Sequence, residues 1–203
     1  MLDTILLPAG ERLTADEFRA EFADQFWNIR EGDFWKLERR QTFVEPGDAS
    51  WAAFFHAGDW KRALRLIKAR RTEYEDDARR MRQIGLTSYR VRVIEPPLTP
   101  YLQWELRSLA LMGAISDRIR VLDAAHVRAL ETHTRLPELV CLGLDRTYEV
   151  LYTGAGAADG AIRHTSSTIT APCRDLIASL YADGEDVVDY VTREVAPLPP
   201  PAG

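Results

Sequence analysis

The side chains best placed to do chemistry in this sequence gather around two segments that read as β-strands. Arg39 and Arg40 lie in Phe34-Trp-Lys-Leu-Glu-Arg-Arg-Gln-Thr-Phe43, Arg90 and Arg92 alternate with valines in Tyr89-Arg-Val-Arg-Val-Ile94, and Glu95 ends that run. Tyr101, Gln103, Trp104 and Glu105 follow in the first turns of the next helix. If the two strands are neighbours, arginines and carboxylates meet on one sheet-floored pocket. Arg would fix an anionic group there, Tyr101 or Trp104 would supply an apolar wall, and Glu95 with Glu105 would offer acid–base chemistry. The ordinary reading is structural and takes precedence. Arg–Glu pairs across strands stabilise sheets by roughly 0.2–1 kcal/mol, and an acidic residue early in a helix complements the macrodipole. Nothing in the spacing shows Glu95 and Glu105 converging.

Other chemistries find little support. The chain has no G-x-x-x-x-G-K-[ST], G-x-S-x-G, H-E-x-x-H or C-x-x-C. Gly154, Gly156 and Gly160 fall in a hairpin loop rather than between a strand and a helix, which argues against a phosphate cradle. His56, His126, His133 and His164 are scattered, so no metal site and no cofactor are expected. Cys141 and Cys173 sit among apolar neighbours and read as buried free thiols. The 23 Arg against 3 Lys, with a single Asn, mark a GC-rich genome, so individual arginines were not necessarily selected for their fork geometry.

The elements that must position these residues follow from local pattern. Thr14-Ala-Asp-Glu17 is a capping box, and Phe18, Phe22 and Phe26 continue a helix to about residue 27. In residues 34–43 the period drops to two, with Trp35, Leu37, Arg39, Gln41 and Phe43 on one face and Lys36, Glu38, Arg40 and Thr42 on the other. This reads as a half-buried strand. From Asp59 as N-cap, helical spacing runs to Gly85, which predicts one rod of about 37 Å and the longest element of the fold. In residues 89–94 the valines and Tyr89 point inward, Arg90 and Arg92 outward. Thr99 caps a helix with Pro100 at its first position. Further strands are expected at 119–122, 139–142, 148–152 and 161–164, a helical turn from Ala124 to about Thr132, and helices over 172–181 and 185–195.

This alternation predicts an α/β or α+β fold: one domain over residues 1–196, a mixed sheet of about five to six strands with helices packed on it, and a C-terminal helical pair. Residues 197–203 form a Pro-rich tail. The chain carries 203 residues, 46% hydrophobic, with net charge −5. No apolar run approaches the ~20 residues of a membrane span and no leader opens the sequence, so a cytoplasmic protein without membrane contact is expected.

Charge is polarised. Residues 61–92 carry a net +7 within an acidic chain, enough to guide an acidic partner or nucleic acid onto the long helix. The preferred reading is a solvated face complementing acidic helices of the same molecule. Direct nucleic-acid binding is not expected, because no helix-turn-helix spacing and no aromatic–basic interleaving accompany the charge.

Residues 34–43, Pro97-Leu-Thr-Pro-Tyr-Leu-Gln-Trp-Glu-Leu106, Ile119-Arg-Val-Leu-Asp123 and Val191-Thr-Arg-Glu-Val-Ala-Pro-Leu-Pro-Pro200 resemble an actinobacterial family of unknown function over essentially the whole chain. The hairpin loop at Gly154–Gly160 is longer and richer in Gly and Ala than that family implies. Members are often encoded beside helix-turn-helix regulators, so the resemblance implies a regulatory or accessory protein that binds such a DNA-binding regulator, with room for a small anionic ligand. Arg39, Arg40, Arg90, Arg92, Glu95, Tyr101, Gln103, Trp104 and Glu105 would form its ligand or partner surface, and Arg90→Glu or Arg92→Glu would weaken the partner complex at nearly constant melting temperature. No catalytic residue is assigned. The alternative is an enzyme acting on a small anionic substrate through Glu/Arg acid–base chemistry.

Overall fold

Thr14 starts the first long helix as its spacing requires. Its side chain accepts from the Glu17 amide while the Glu17 carboxylate accepts from the Thr14 amide, satisfying donors that a bare helix end would leave open. Thr99 accepts from the Leu102 amide ahead of a helix with Pro100 at its first position. The computed structural model describes residues 7–201; residues 1–6 of the expected domain and 202–203 of the expected tail lie outside the described residues.

The helices are α1 (Ala15–Trp27), α2 (Ala49–Phe55), α3 (Trp60–Ala69), α4 (Arg71–Ile84), α5 (Pro100–Gly113), α6 (Ser167–Asp183) and α7 (Val187–Tyr190). The strands are β1 (Glu11–Leu13), β2 (Phe34–Glu38), β3 (Ser88–Ile94), β4 (Arg118–Asp123), β5 (Glu138–Leu142), β6 (Arg146–Tyr152), β7 (Ala158–His164) and β8 (Glu185–Asp186). All eight form one mixed sheet, ordered β1-β7-β6-β5-β2-β3-β4-β8. β2, β3 and β4 run parallel and the remaining pairs are antiparallel. Parallel neighbours need long crossovers; α2–α4 supply one between β2 and β3, and α5 the other between β3 and β4.

The α+β class, the mixed sheet and the closing helical pair agree with the sequence reading, whereas the strand number does not. Six strands fall where expected. The two additions, β1 and β8, are edge strands of three and two residues, too short to show a two-residue period. The long rod also gives way to two helices. Arg70 breaks it with ψ −2°, and its guanidinium reaches Asp48 and Glu73 and lies 4.9 Å from the Tyr74 ring. The break lets α3 send Trp60, Ala63 and Ile67 into one core and α4 send Met81 into another, which a straight helix with one apolar stripe could not do. The longest helix is instead α6, 17 residues. Ala124–Val127 is a short 3-10 turn, and β8 takes the first two residues of the expected final helix.

Both faces of the central strands are covered. On one, Leu37, Val91, Val93, Leu122, Leu139 and Cys141 pack against Cys173, Leu176, Ile177 and Leu180 of α6. The two cysteines are free and buried, and burial pushes their thiols up, to about 12 for Cys141 and about 11 for Cys173. On the other face lie α1 over β5–β7, α2 and α3 with the start of α5, and α5 with α7 over β4. The expectation that Arg90 and Arg92 point outward is therefore corrected. Parallel crossovers lay helices on this face, leaving Arg92 0% exposed and Glu38 5%. β2 ends at Glu38, five residues short of the expected strand, and Thr42 beyond it is exposed. Over residues 34–38 and 89–94 the alternation is real, but its polar side faces a second interior.

Candidate functional site

Register explains how charge accumulates under α5. Lys36 lies opposite Arg90, and Glu38 opposite Arg92, so two cations of β3 meet one carboxylate of β2. Glu38 accepts from Arg90 Nη1 at 3.1 Å, and Lys36 Nζ approaches its other oxygen at 2.5 Å. Arg92 Nε donates to Glu105 at 2.7 Å, and its Nη1 donates to the Val93 carbonyl at 3.1 Å. Tyr101 donates to Glu105 at 3.2 Å and also to Glu45, while Trp104 Nε1 donates to Ser50 at 3.1 Å. Burial would raise Glu38, but Arg90, Lys36 and Arg92 outweigh it and hold the carboxyl at about 2. For Glu105 burial prevails over Arg92, with Glu38 and Glu45 adding repulsion, and its carboxyl rises to about 7.

These opposite shifts give the network a pH signature. A carboxyl lowered in the fold stabilises above its unfolded value and loses that contribution as pH falls through its folded value; a raised one opposes folding once pH exceeds its unfolded value. Glu38 therefore contributes stability at neutral pH that disappears as pH falls from about 4.5 to 2. Glu105 weakens the fold as pH climbs from about 4.5 through 7. Thermal unfolding should accordingly show a higher Tm at pH 5 than at pH 8, a difference that Glu105→Gln reduces, and Glu38→Gln should flatten the acid limb. Identical pH profiles for wild type and both variants would contradict these assignments.

A second polar group sits where β2 ends, around an open cleft of about 420 Å3. The backbone amides of Arg39 and Arg40 donate to the Glu138 carboxylate, the latter at 2.6 Å. Burial raises Glu138, with those two amides pulling the other way. Arg39 Nε and Nη2 form a two-pronged contact with Glu131 at 2.6 and 2.7 Å. Arg39 Nη2 also lies 2.7 Å from Glu95, and Arg135 approaches the same Glu95 oxygen at 3.4 Å. Gln41 locks the junction by donating to the Arg39 and Val93 carbonyls and accepting from the Glu95 amide. Arg40 lies 5.6 Å from the Tyr152 ring, and Tyr152, Val150 and Leu136 give the cleft an apolar wall. Arg39 Nη1 and Arg40 Nε are buried without a hydrogen-bond partner among the described residues. Unpaired buried donors are costly.

The residues expected to act together thus divide. Arg39, Arg40 and Glu95 belong to the region where β2 and β3 end. Arg92, Tyr101, Trp104 and Glu105 belong to the sealed network and present no recognition surface, whereas Arg90 joins that network through Glu38 and also lines a separate open cleft beside Phe26, Tyr74 and Asp117. Gln103 is half-buried on α5, with its side-chain oxygen unpartnered. Glu95 and Glu105 are tied to different arginines and do not form a carboxylate pair. Sequence reasoning missed Glu38, Glu131, Arg135, Glu138 and Tyr152. Glu38 was legible as a neighbour of Lys36 on one face of the alternating run, whereas Glu131 and Glu138 are distant in sequence and meet Arg39 only through the tertiary fold.

The basic segment also departs from expectation. Arg70, Arg71 and Arg79 pair with acids of their own helix, but Lys61, Arg62, Arg65 and Lys68 are exposed and form no ion pair among the described residues. They do not complement acidic helices of the same molecule.

No curated protein matches the chain. Among solved structures, it is similar to TrmBL2, described as an archaeal chromatin protein with a novel mode of DNA binding, with a TM-score of 0.41 and 9% identity over 89% of this chain and 55% of that one. The chain thus spans about half of that protein's length, and a likeness this low carries no argument about activity. The expectation against direct nucleic-acid binding is withdrawn, because the basic segment, expected to complement acidic helices of the same molecule, leaves Lys61, Arg62, Arg65 and Lys68 exposed and without ion pairs among the described residues; the assignment of a DNA-binding regulator as the protein's partner is withdrawn as well. Among the described residues, no helix is long and apolar enough to cross a membrane. A family model described as a domain of unknown function, DUF6879, matches residues 20–192, and the chain belongs to that family.

Proposed function

We propose that this protein is a non-catalytic regulatory or accessory module that senses a small ligand in the cleft at the end of β2. Its setting, a cytoplasmic role in an actinobacterium with a helix-turn-helix regulator encoded nearby, comes from the sequence resemblance. The observation carrying the reading is the pair of buried guanidinium nitrogens, Arg39 Nη1 and Arg40 Nε, left without partners on residues that line a cleft of about 420 Å3. A ligand with oxygen acceptors would satisfy them, and Tyr152 and Val150 would cover its apolar part. The Glu138 carboxylate, holding two successive backbone amides, fixes both arginine backbones before any ligand arrives, which lowers the ordering cost of binding.

The test is thermal unfolding of wild type and Arg40→Gln against a panel of mono- and dicarboxylates, phosphates and sugar acids. A ligand at ~100 times its Kd adds about 2.7 kcal/mol to stability. At least one compound should raise Tm by several degrees in wild type and not in the variant. A panel that shifts neither protein, or shifts both alike, would overturn the assignment. The enzyme alternative draws on Glu105, raised by burial against the pull of Arg92, but its expected partner Glu95 is bound elsewhere, and Glu105 is only 6% exposed.

A further inference from the structure

Helix α3 contains no acidic residue, although the chain as a whole carries net charge −5. Its exposed positions are Lys61, Arg62, Arg65, Lys68 and Ala69, while Trp60, Ala63 and Ile67 are buried on the opposite side. At 100° per residue the four cations occupy a single arc of about 120°, spread over about 10 Å of helix axis. None forms an ion pair or a side-chain hydrogen bond among the described residues, whereas Arg70, Arg71 and Arg79 next along the chain are each neutralised by a neighbour. Four like charges held on one rigid face repel one another, so a polyanion gains there without breaking an existing pair.

From this geometry we infer that the outer face of α3 contacts the phosphate backbone of double-stranded DNA without reading its sequence. The arc carries no aromatic side chain on which a single strand could stack its bases, and apart from Ala69 no apolar one to anchor an amphipathic peptide. A B-form major groove about 12 Å wide accepts a helix bearing cations across this span, whereas the deep, narrow A-form groove does not. The surface is separate from the β2 cleft and stands whether or not that cleft binds a ligand.

Four neutralised phosphates predict that log K falls with log salt at a slope of about −3.6, a loss of roughly a hundredfold between 50 and 200 mM. Fluorescence anisotropy of the full chain with a labelled random-sequence duplex at several salt concentrations measures it. Arg65→Gln with Lys68→Gln should reduce the slope by about 1.8, without moving Tm, since both side chains are exposed and unpaired. Arg71→Gln with Arg79→Gln on α4, both already paired with Glu75 and Asp76, should leave the slope nearly unchanged. The proposal falls if the duplex does not bind at low salt, if the α3 and α4 pairs act alike, or if duplex RNA, single-stranded DNA or an acidic amphipathic peptide competes better than duplex DNA.

Discussion

Arg92→Met should lower the unfolding free energy by about 3–5 kcal/mol, the range for removing one partner of a buried ion pair. The guanidinium is wholly enclosed, donating to Glu105 at 2.7 Å and to the Val93 carbonyl at 3.1 Å. Without it, Glu105 keeps only neutral donors, and Glu38 loses one of three nearby cations. Arg92→Met combined with Glu105→Gln should recover much of the loss, because the second change removes the stranded charge. Urea unfolding of the four proteins of this cycle gives the coupling directly. A single-variant loss below about 1 kcal/mol would place Arg92 in solvent contact and restore the outward-facing surface. The direction is opposite to the sequence expectation, in which Arg92 could be changed at nearly constant Tm.

Replacing Gly160 with Ala tests the other end of the sheet. Gly160 has φ +97° and lies opposite Leu151 in the β6–β7 ladder, and a Cβ there would overlap the Leu13 carbonyl of β1. That obstacle is backbone and cannot rotate away. Left-handed strain alone costs of order 1–3 kcal/mol, so with the collision Gly160→Ala should cost about 3 kcal/mol or more. Thermal unfolding reads the loss, and amide exchange localises it. Arg12 and Leu13 should lose protection first, as the short edge strand separates from Ile162 and Ala161. Protection unchanged in β1 would mean that this edge is not paired as described.

Both results bear on how much of the molecule could be read before its fold. Thr14, Asp59 and Thr99 cap helices where their spacing says they should, because capping is settled within four residues. The break at Arg70 was not legible, since it depends on Asp48 from a preceding helix cap and on two separate cores. At the candidate site, Arg39, Arg40 and Glu95 were legible as chemistry-bearing residues. Their partners Glu131 and Glu138 lie about ninety or more positions from Arg39, beyond the reach of any local pattern.

By itself the sequence determined where six of the strands lie, the starts of α1, α3 and α5, the mixed α+β class and the concentration of positive charge in residues 61–92. Each is set by neighbours a few residues apart; the start of α6, five residues before the expected one, was not among them. Tertiary structure decided which side of each strand met solvent. The crossovers α2–α5 covered the charged side of β2 and β3, turning a surface that looked made for a partner into a sealed ion-pair network. By sending both apolar sides of α3 and α4 into separate cores, the same packing left Lys61, Arg62, Arg65 and Lys68 as the unpaired outer charge. Alternation specifies that two faces differ; only the layer laid on top specifies which of them is buried.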